Sequence, residues 1–161
     1  MQFVQDHLKE DPAHLLLRQK AVPGIDLKIA AQQIAMRQKA AKKLPFWAGY
    51  PSIIFPPSLS MEQCSSELTA AYKSQLVQGK TFIDLTGGFA VDTYYIGKEF
   101  KEITYLERQQ ELVELARHNL SGLLKDQDIQ LSVVHGESIQ FIEKTQTKYD
   151  VLFVDPARRG S

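Results

Sequence analysis

From residue 81 onward, short apolar runs alternate with longer amphipathic ones, while the first 78 residues are helical in pattern and broken by prolines. The alternation predicts strands at Thr81 to Leu85, Ile103 to Leu106, Ile129 to His135 and Tyr149 to Val154. Helices are predicted between them, at Val91 to Phe100, Gln109 to Leu120 and Ser138 to Lys144. Strands that alternate with helices form a parallel sheet with right-handed crossovers, and such sheets bind ligands at the C-terminal ends of their strands. Gln78-Gly79-Lys80 separates this region, 79–161, from a helical N-terminal region, 1–78. There, Asp26 can cap a helix running to about Lys43, with Ile29, Ala30, Ile34, Ala41 and Leu44 near one face, and Pro45 ends it. Four prolines and four aromatics (Phe46, Trp47, Tyr50 and Phe55) between Leu44 and Pro57 predict an extended, irregular connection lying on something apolar. A further helix is expected from Ser66 to Gln78, with Leu68, Ala71, Tyr72 and Leu76 buried; a start at Ser60, with Gln63 completing a capping box, is the alternative.

The first predicted strand ends in Asp84-Leu85-Thr86-Gly87-Gly88-Phe89-Ala90, a carboxylate followed by two glycines. Glycines let the backbone turn tightly and approach a ligand, so the segment reads as the loop of a nucleotide-binding α/β fold. Three further acids fall at matching places after the next three strands: Glu107, Glu137 and Asp155. A dinucleotide site wants Gly-x-Gly-x-x-Gly, and the best overlay, Gly88 to Thr93, keeps only the first glycine. Asp84 would also repel a pyrophosphate in a loop of low dielectric. A nicotinamide-dependent oxidoreductase is therefore disfavoured. S-adenosylmethionine carries a sulfonium and an ammonium and no phosphate, so a pocket ringed with acids suits it. Asp84 would order the loop and attract the ammonium, Glu107 would accept hydrogen bonds from both ribose hydroxyls, and Glu137 would receive the adenine amino group. Glu107 and Glu137 can each also be read as first-turn helix acids, but that does not account for four acidic strand ends.

Composition changes this picture little. The chain has 161 residues, 43% hydrophobic and 24% charged, enough for one sizeable core. Nineteen basic and nineteen acidic residues cancel, so any nucleic-acid signal must be local. No run is long and apolar enough to span a bilayer, the N-terminus lacks the pattern of a signal peptide, and the expected location is cytoplasmic, with no membrane partner. The single cysteine, Cys64, excludes an internal disulfide; four scattered histidines predict no metal site. From Leu27 through Met61 there is no acid, while Lys28, Arg37, Lys39, Lys42 and Lys43 lie beside Phe46, Trp47 and Tyr50. The charges read either as a solvated helix face or as a track for phosphates, and the aromatics read as core packing.

With these residues assembled, 79–161 resembles the first half of class I S-adenosylmethionine-dependent methyltransferases. Asp84 to Ala90 is similar to the family's first motif, with Thr86 and Ala90 where glycines are more usual. Tyr105-Leu106-Glu107 is similar to the second, Gly136-Glu137-Ser138 to the third and Asp155-Pro156-Ala157-Arg158 to the fourth. Together with Leu59 to Lys73, these motifs resemble bacterial methyltransferases with a THUMP-like domain. The resemblance implies an α/β fold with a Rossmann-like methyltransferase sheet of parallel strands, preceded by a small helical region. It implies a transferase that uses S-adenosyl-L-methionine on RNA, with the segment around Gln63 to Thr69 closing over the cofactor. The implied cofactor-binding residues are Gln63, Ser65, Asp84, Thr86, Gly87, Gly88, Glu107, Arg108, Glu137, Ser138, Asp155 and Pro156. Asp155 is the candidate catalytic residue touching the acceptor, and Arg158 and Arg159 are candidate RNA phosphate contacts. Asp-Pro-Ala-Arg-Arg-Gly is closer to the corresponding motif of RNA pyrimidine C5-methyltransferases than to Asp-Pro-Pro-Tyr. Those enzymes need a nucleophilic cysteine on a later strand; Cys64, in the N-terminal region, reads as structural. The family's sheet has seven strands, so this chain is expected to be an N-terminal portion that stops after the fourth. It would then have low activity or none in isolation, acting as a cofactor- or RNA-binding module, and would self-associate through the exposed fourth strand.

Overall fold

The computed structural model describes residues 1–18 and 22–156. Helices α1 (Gln2–Asp6), α2 (Pro12–Arg18) and α3 (Leu27–Ala40) open the chain, and Val4, Leu15, Ala30 and Ile34 form a small core of their own. Asp26 starts α3 as expected, its carboxylate accepting from the N–H groups of Lys28 and Ile29 at 2.9 and 3.1 Å. The helix stops short of Lys43, and it seats Ala30, Ile34, Arg37 and Ala40 inward, which leaves Ile29 and Ala41 exposed, contrary to expectation.

The connection that follows is not extended throughout. Pro45–Gly49 forms a short helix, α4, with proline at its start, where a missing N–H costs nothing. Its cap comes from far along the chain: the Glu67 carboxylate accepts from the N–H groups of Phe46 and Trp47 at 3.2 and 2.9 Å. Residues 50–57 are irregular and lie on the core, with Ile53 and Phe55 buried. Arg37 makes this possible. Its buried guanidinium donates to the carbonyls of Ala48 (2.9 Å), Tyr50 (3.0 Å), Pro51 (3.0 Å) and Ile53 (2.5 Å). Gln33 forms a two-way amide pair with Phe55, and Asn119 forms another with Ile54, every bond at 2.9 Å. An irregular segment cannot satisfy its own buried polar groups, and these three side chains do so for it. Arg37 therefore leaves the basic surface, and burial pulls its guanidinium below the usual value. Trp47 is buried and Tyr50 half-buried, as the core-packing reading expects, whereas Phe46 is exposed, contrary to it.

A short helix, α5 (Ser58–Gln63), precedes α6 (Glu67–Ser74), which starts at Ser66 as expected but ends before Gln78. Ser66 caps α6 through the N–H of Thr69 at 3.1 Å. The orientation of α6 differs from the apolar pattern: Leu68, Tyr72 and Leu76 are exposed, whereas Glu67 and Ala70 are buried. Glu67 must reach the start of α4, and Lys73 reaches the carboxylates of Asp92 and Asp155. These polar attachments set the rotation of the helix.

The remainder is β1 (Thr81–Asp84), α7 (Val91–Gly97), β2 (Glu102–Glu107), α8 (Gln110–Leu124), β3 (Gln130–His135), α9 (Ser138–Lys144) and β4 (Val151–Phe153). All four strands are parallel, in the order β3-β2-β1-β4, so the α/β fold is the one the alternation predicts. Phe82 and Tyr105 face the main core, shared with α7, α8 and the segment 44–61; Ile83, Leu85 and Leu106 face the opposite layer with Phe141 of α9. The register sets Asp84 beside Tyr105 and Phe153, and Glu107 beside His135, which brings the acidic strand ends to one edge. β4 is an edge strand, shorter than expected, and Leu152 is half exposed.

Candidate functional site

The loop after β1 turns over the ring of Tyr105. A Cβ at Gly87 would lie 2.1 Å from that ring, so only glycine fits there. The Tyr105 hydroxyl donates to the carbonyl of Gly88 at 2.8 Å, and burial pushes its phenol pKa upward, with the nearby carboxylates of Glu107 and Asp84 pushing the same way. Gly88 and Ala90 both have positive φ, 52° and 67°. Four of the loop's N–H groups are spent internally. Thr86 N–H donates to Asp84 (2.9 Å), Gly87 N–H to Leu106 O (3.0 Å), Gly88 N–H to Glu107 (3.0 Å) and Ala90 N–H to Gly87 O (2.8 Å).

Asp84 is buried beneath this loop. Desolvation pushes its pKa from 3.8 up to about 6, against the pull of hydrogen bonds from the Thr93 hydroxyl (2.6 Å) and Thr86 N–H; the charges of Asp92 and Glu107 push it further up. Glu107 is also buried, with one oxygen accepting from Gly88 N–H and the other from Gln109 N–H at 2.9 Å. Ser138 spends its hydroxyl on Leu85 O at 2.6 Å, tying α9 to the end of β1, while Glu137 before it is exposed. Asp155 N–H donates to the Thr86 hydroxyl at 2.7 Å, and the Asp155 side chain is 62% exposed.

These groups line one open cleft of about 430 Å³ at the C-terminal ends of the strands, within the size range of small-molecule sites. Gln63, Ser65, Asp84, Thr86, Gly87, Gly88, Glu107, Arg108, Glu137, Ser138, Asp155 and Pro156 all contribute to its wall. Arg158 and Arg159 lie outside the described residues. Cys64 is on the same wall with its thiol donating to Met61 O at 3.0 Å, and burial raises its pKa, which keeps it a thiol and a weak nucleophile.

Two residues escaped the sequence reading. Asp92, in the first turn of α7, lines the cleft, and its buried Oδ1 accepts no hydrogen bond. Its place just after the glycine loop was the available signal. Lys73 of α6 sets its ammonium 3.0 Å from that oxygen, 3.4 Å from Asp155 Oδ2, 2.9 Å from Ser65 Oγ and 4.9 Å from the centre of the Phe153 ring. Nothing in its local sequence marks it. Among the described residues no group of three or more metal-ligating side chains converges, and no helix is long and apolar enough to cross a membrane.

A crystal structure of a putative methyltransferase from Porphyromonas gingivalis W83 matches over 88% of this chain at a TM-score of 0.77 and 29% identity. The chain has a methyltransferase fold. It spans 35% of the length of that protein. A putative RNA methyltransferase from Pyrococcus horikoshii aligns over 94% of this chain and 60% of its own at 19% identity, with a TM-score of 0.40. No protein-family model and no curated protein matches the chain.

Proposed function

We propose that the chain carries the cofactor site of an S-adenosyl-L-methionine-dependent methyltransferase acting on RNA. The observation that carries this reading is the polarity of the cleft. Asp84, Asp92, Glu107, Glu137 and Asp155 line it, while the N–H groups of Thr86, Gly87, Gly88 and Ala90 are already taken. A pyrophosphate would meet repulsion from the acids. A cationic cofactor without phosphate needs acceptors, and the carboxylates of Glu107, Glu137 and Asp155 supply them, while Asp92 is paired with Lys73. The donor and acceptor set therefore fits S-adenosylmethionine. The likeness to the Porphyromonas protein supports the same class.

Each residue then has a task. Glu107 has one hydrogen bond on each oxygen and retains lone pairs for two ribose hydroxyls. Asp84 shapes the loop and adds negative potential. Glu137 offers an acceptor to the adenine amino group, with Ser138 fixing the turn below it. Gln63 and Ser65 form the opposite wall, with Arg108 and Pro156 at its ends. Bound there, the cofactor supplies an electrophilic methyl on sulfur. The chain's contribution is positioning: Asp155, on the exposed side of the cleft, accepts a hydrogen bond from the acceptor and aligns it. RNA as the acceptor, in a cytoplasmic setting, is supported by the resemblance to THUMP-like-domain methyltransferases and by the arginine pair after Pro156.

Calorimetric titration with S-adenosylhomocysteine and with NADH tests the cofactor class. Binding of the homocysteine ligand, weakened by Glu107→Gln, is expected. Tight NADH binding with no response to the homocysteine ligand overturns the proposal.

A further inference from the structure

Gln63, Cys64 and Ser65 line the cleft without belonging to the sheet, and α6 follows them directly. Leu68 and Tyr72 of α6 are exposed, and the helix packs its other side against α7. Ala70 is buried in the main core, and Glu67 reaches back to α4 rather than to the sheet. Lys73 alone links this wall to both carboxylates at the far side of the cleft. Its ammonium meets Ser65 on its own segment, Asp92 on α7, and Asp155 and the Phe153 ring at the end of β4. The side chain of Lys73 is 25% exposed and that of Asp92 13%, so the pair is partly withdrawn from water, where an ion pair is screened less than at an open surface.

We propose that Lys73 is a positioning residue, a latch that pins the Gln63 to Ser74 segment over the cleft and sets the direction of Asp155. Ser65 and Asp155 share one ammonium, at 2.9 and 3.4 Å, so its place ties one to the other. Without it, the buried Asp92 oxygen loses its only counter-charge among the described residues, and Asp92 and Asp155 repel each other. The wall then opens locally while the sheet stays closed. The structural latch stands on these contacts; its effect on ligand binding rests on the cofactor reading above.

The test is amide hydrogen exchange on the whole chain, read by segment, for wild type, Lys73→Met, Lys73→Arg and Asp92→Asn. Methionine keeps the apolar stem and removes the charge. In Lys73→Met the amides of residues 63–74 are expected to exchange about tenfold faster, with β1, β2 and β3 unchanged. Lys73→Arg restores most of the protection, and Asp92→Asn reproduces the local loss, which keeps the test decisive if Lys73→Met folds poorly. In parallel, S-adenosylhomocysteine affinity should fall about tenfold in Lys73→Met and recover in Lys73→Arg. Unchanged exchange over 63–74, or an equal rise over the whole chain, overturns the latch. Local loss of protection in a wild-type background that binds no homocysteine ligand supports the latch and overturns the cofactor reading instead.

Discussion

Asp84 gives the site a pH signature that Asp84→Asn isolates. Burial raises its pKa from 3.8 to about 6, so between those values the folded chain holds a proton that the unfolded chain has released. Stability from this group is fully present below pH 3.8 and is lost as the pH rises through 6. Each tenfold change in proton affinity is worth about 1.4 kcal/mol, so the loss is about 3 kcal/mol. Asparagine preserves the local bonding, because its amide oxygen can still accept from Thr86 N–H and its amide group can face the Thr93 hydroxyl. The variant therefore removes the charge and leaves the loop in place. Urea unfolding of both proteins at about pH 4 and about pH 7.5 should show the stability of wild type falling relative to Asp84→Asn by about 2–2.5 kcal/mol across that interval, since the unfolded carboxyl is already partly ionised at the lower pH. The other acids titrate in both proteins and largely cancel in the difference. A difference that stays flat with pH, or one in which wild type gains, would mean that the Thr93 and Thr86 hydrogen bonds outweigh desolvation, and the burial argument would fail.

Arg37→Leu should cost about 3–5 kcal/mol in chemical denaturation, because it strands the carbonyls of Ala48, Pro51 and Ile53 and leaves that of Tyr50 only the Ile53 N–H; a loss under about 1 kcal/mol would show that water replaces the guanidinium. In the cofactor loop, thermal melts should move in opposite directions. Gly87→Ala drives a methyl into the Tyr105 ring and is expected to destabilise by about 2 kcal/mol, whereas Ala90→Gly relieves a φ of 67° and should stabilise by about 0.5–1 kcal/mol. Sedimentation should detect self-association along the edge of β4, and Leu152→Lys, at a half-exposed position, should abolish it; a monomer at every concentration counts against that pairing.

The parts of the fold legible in the sequence are those whose signal is local. An apolar run ended by Asp84 or Glu107 is a strand end in any context, and the parallel order follows once helices alternate with strands. The twelve cofactor candidates meet in one cleft because the register aligns those strand ends. What stayed hidden depends on partners that carry no sequence mark. The carbonyls that hold Arg37 belong to residues of any type, so a buried guanidinium reads as part of a basic face.

Helix α6 shows which force prevails when the two kinds of signal conflict. Its apolar stripe would bury two large side chains at about 1.5–3 kcal/mol each, yet the helix turns that stripe outward. The opposing side carries Glu67, which supplies the cap of α4, and Lys73, which neutralises Asp92 and Asp155. Turning the helix to bury Leu68 and Tyr72 would take Glu67 away from the N–H groups of Phe46 and Trp47 and Lys73 away from the Asp92 carboxylate, leaving those groups uncompensated. Unpaired buried charge costs as much as the apolar gain and falls on several residues at once. Polar attachments thus decide the face of a helix that the hydrophobic pattern alone assigns the other way, and they do so where the chain closes over its cleft.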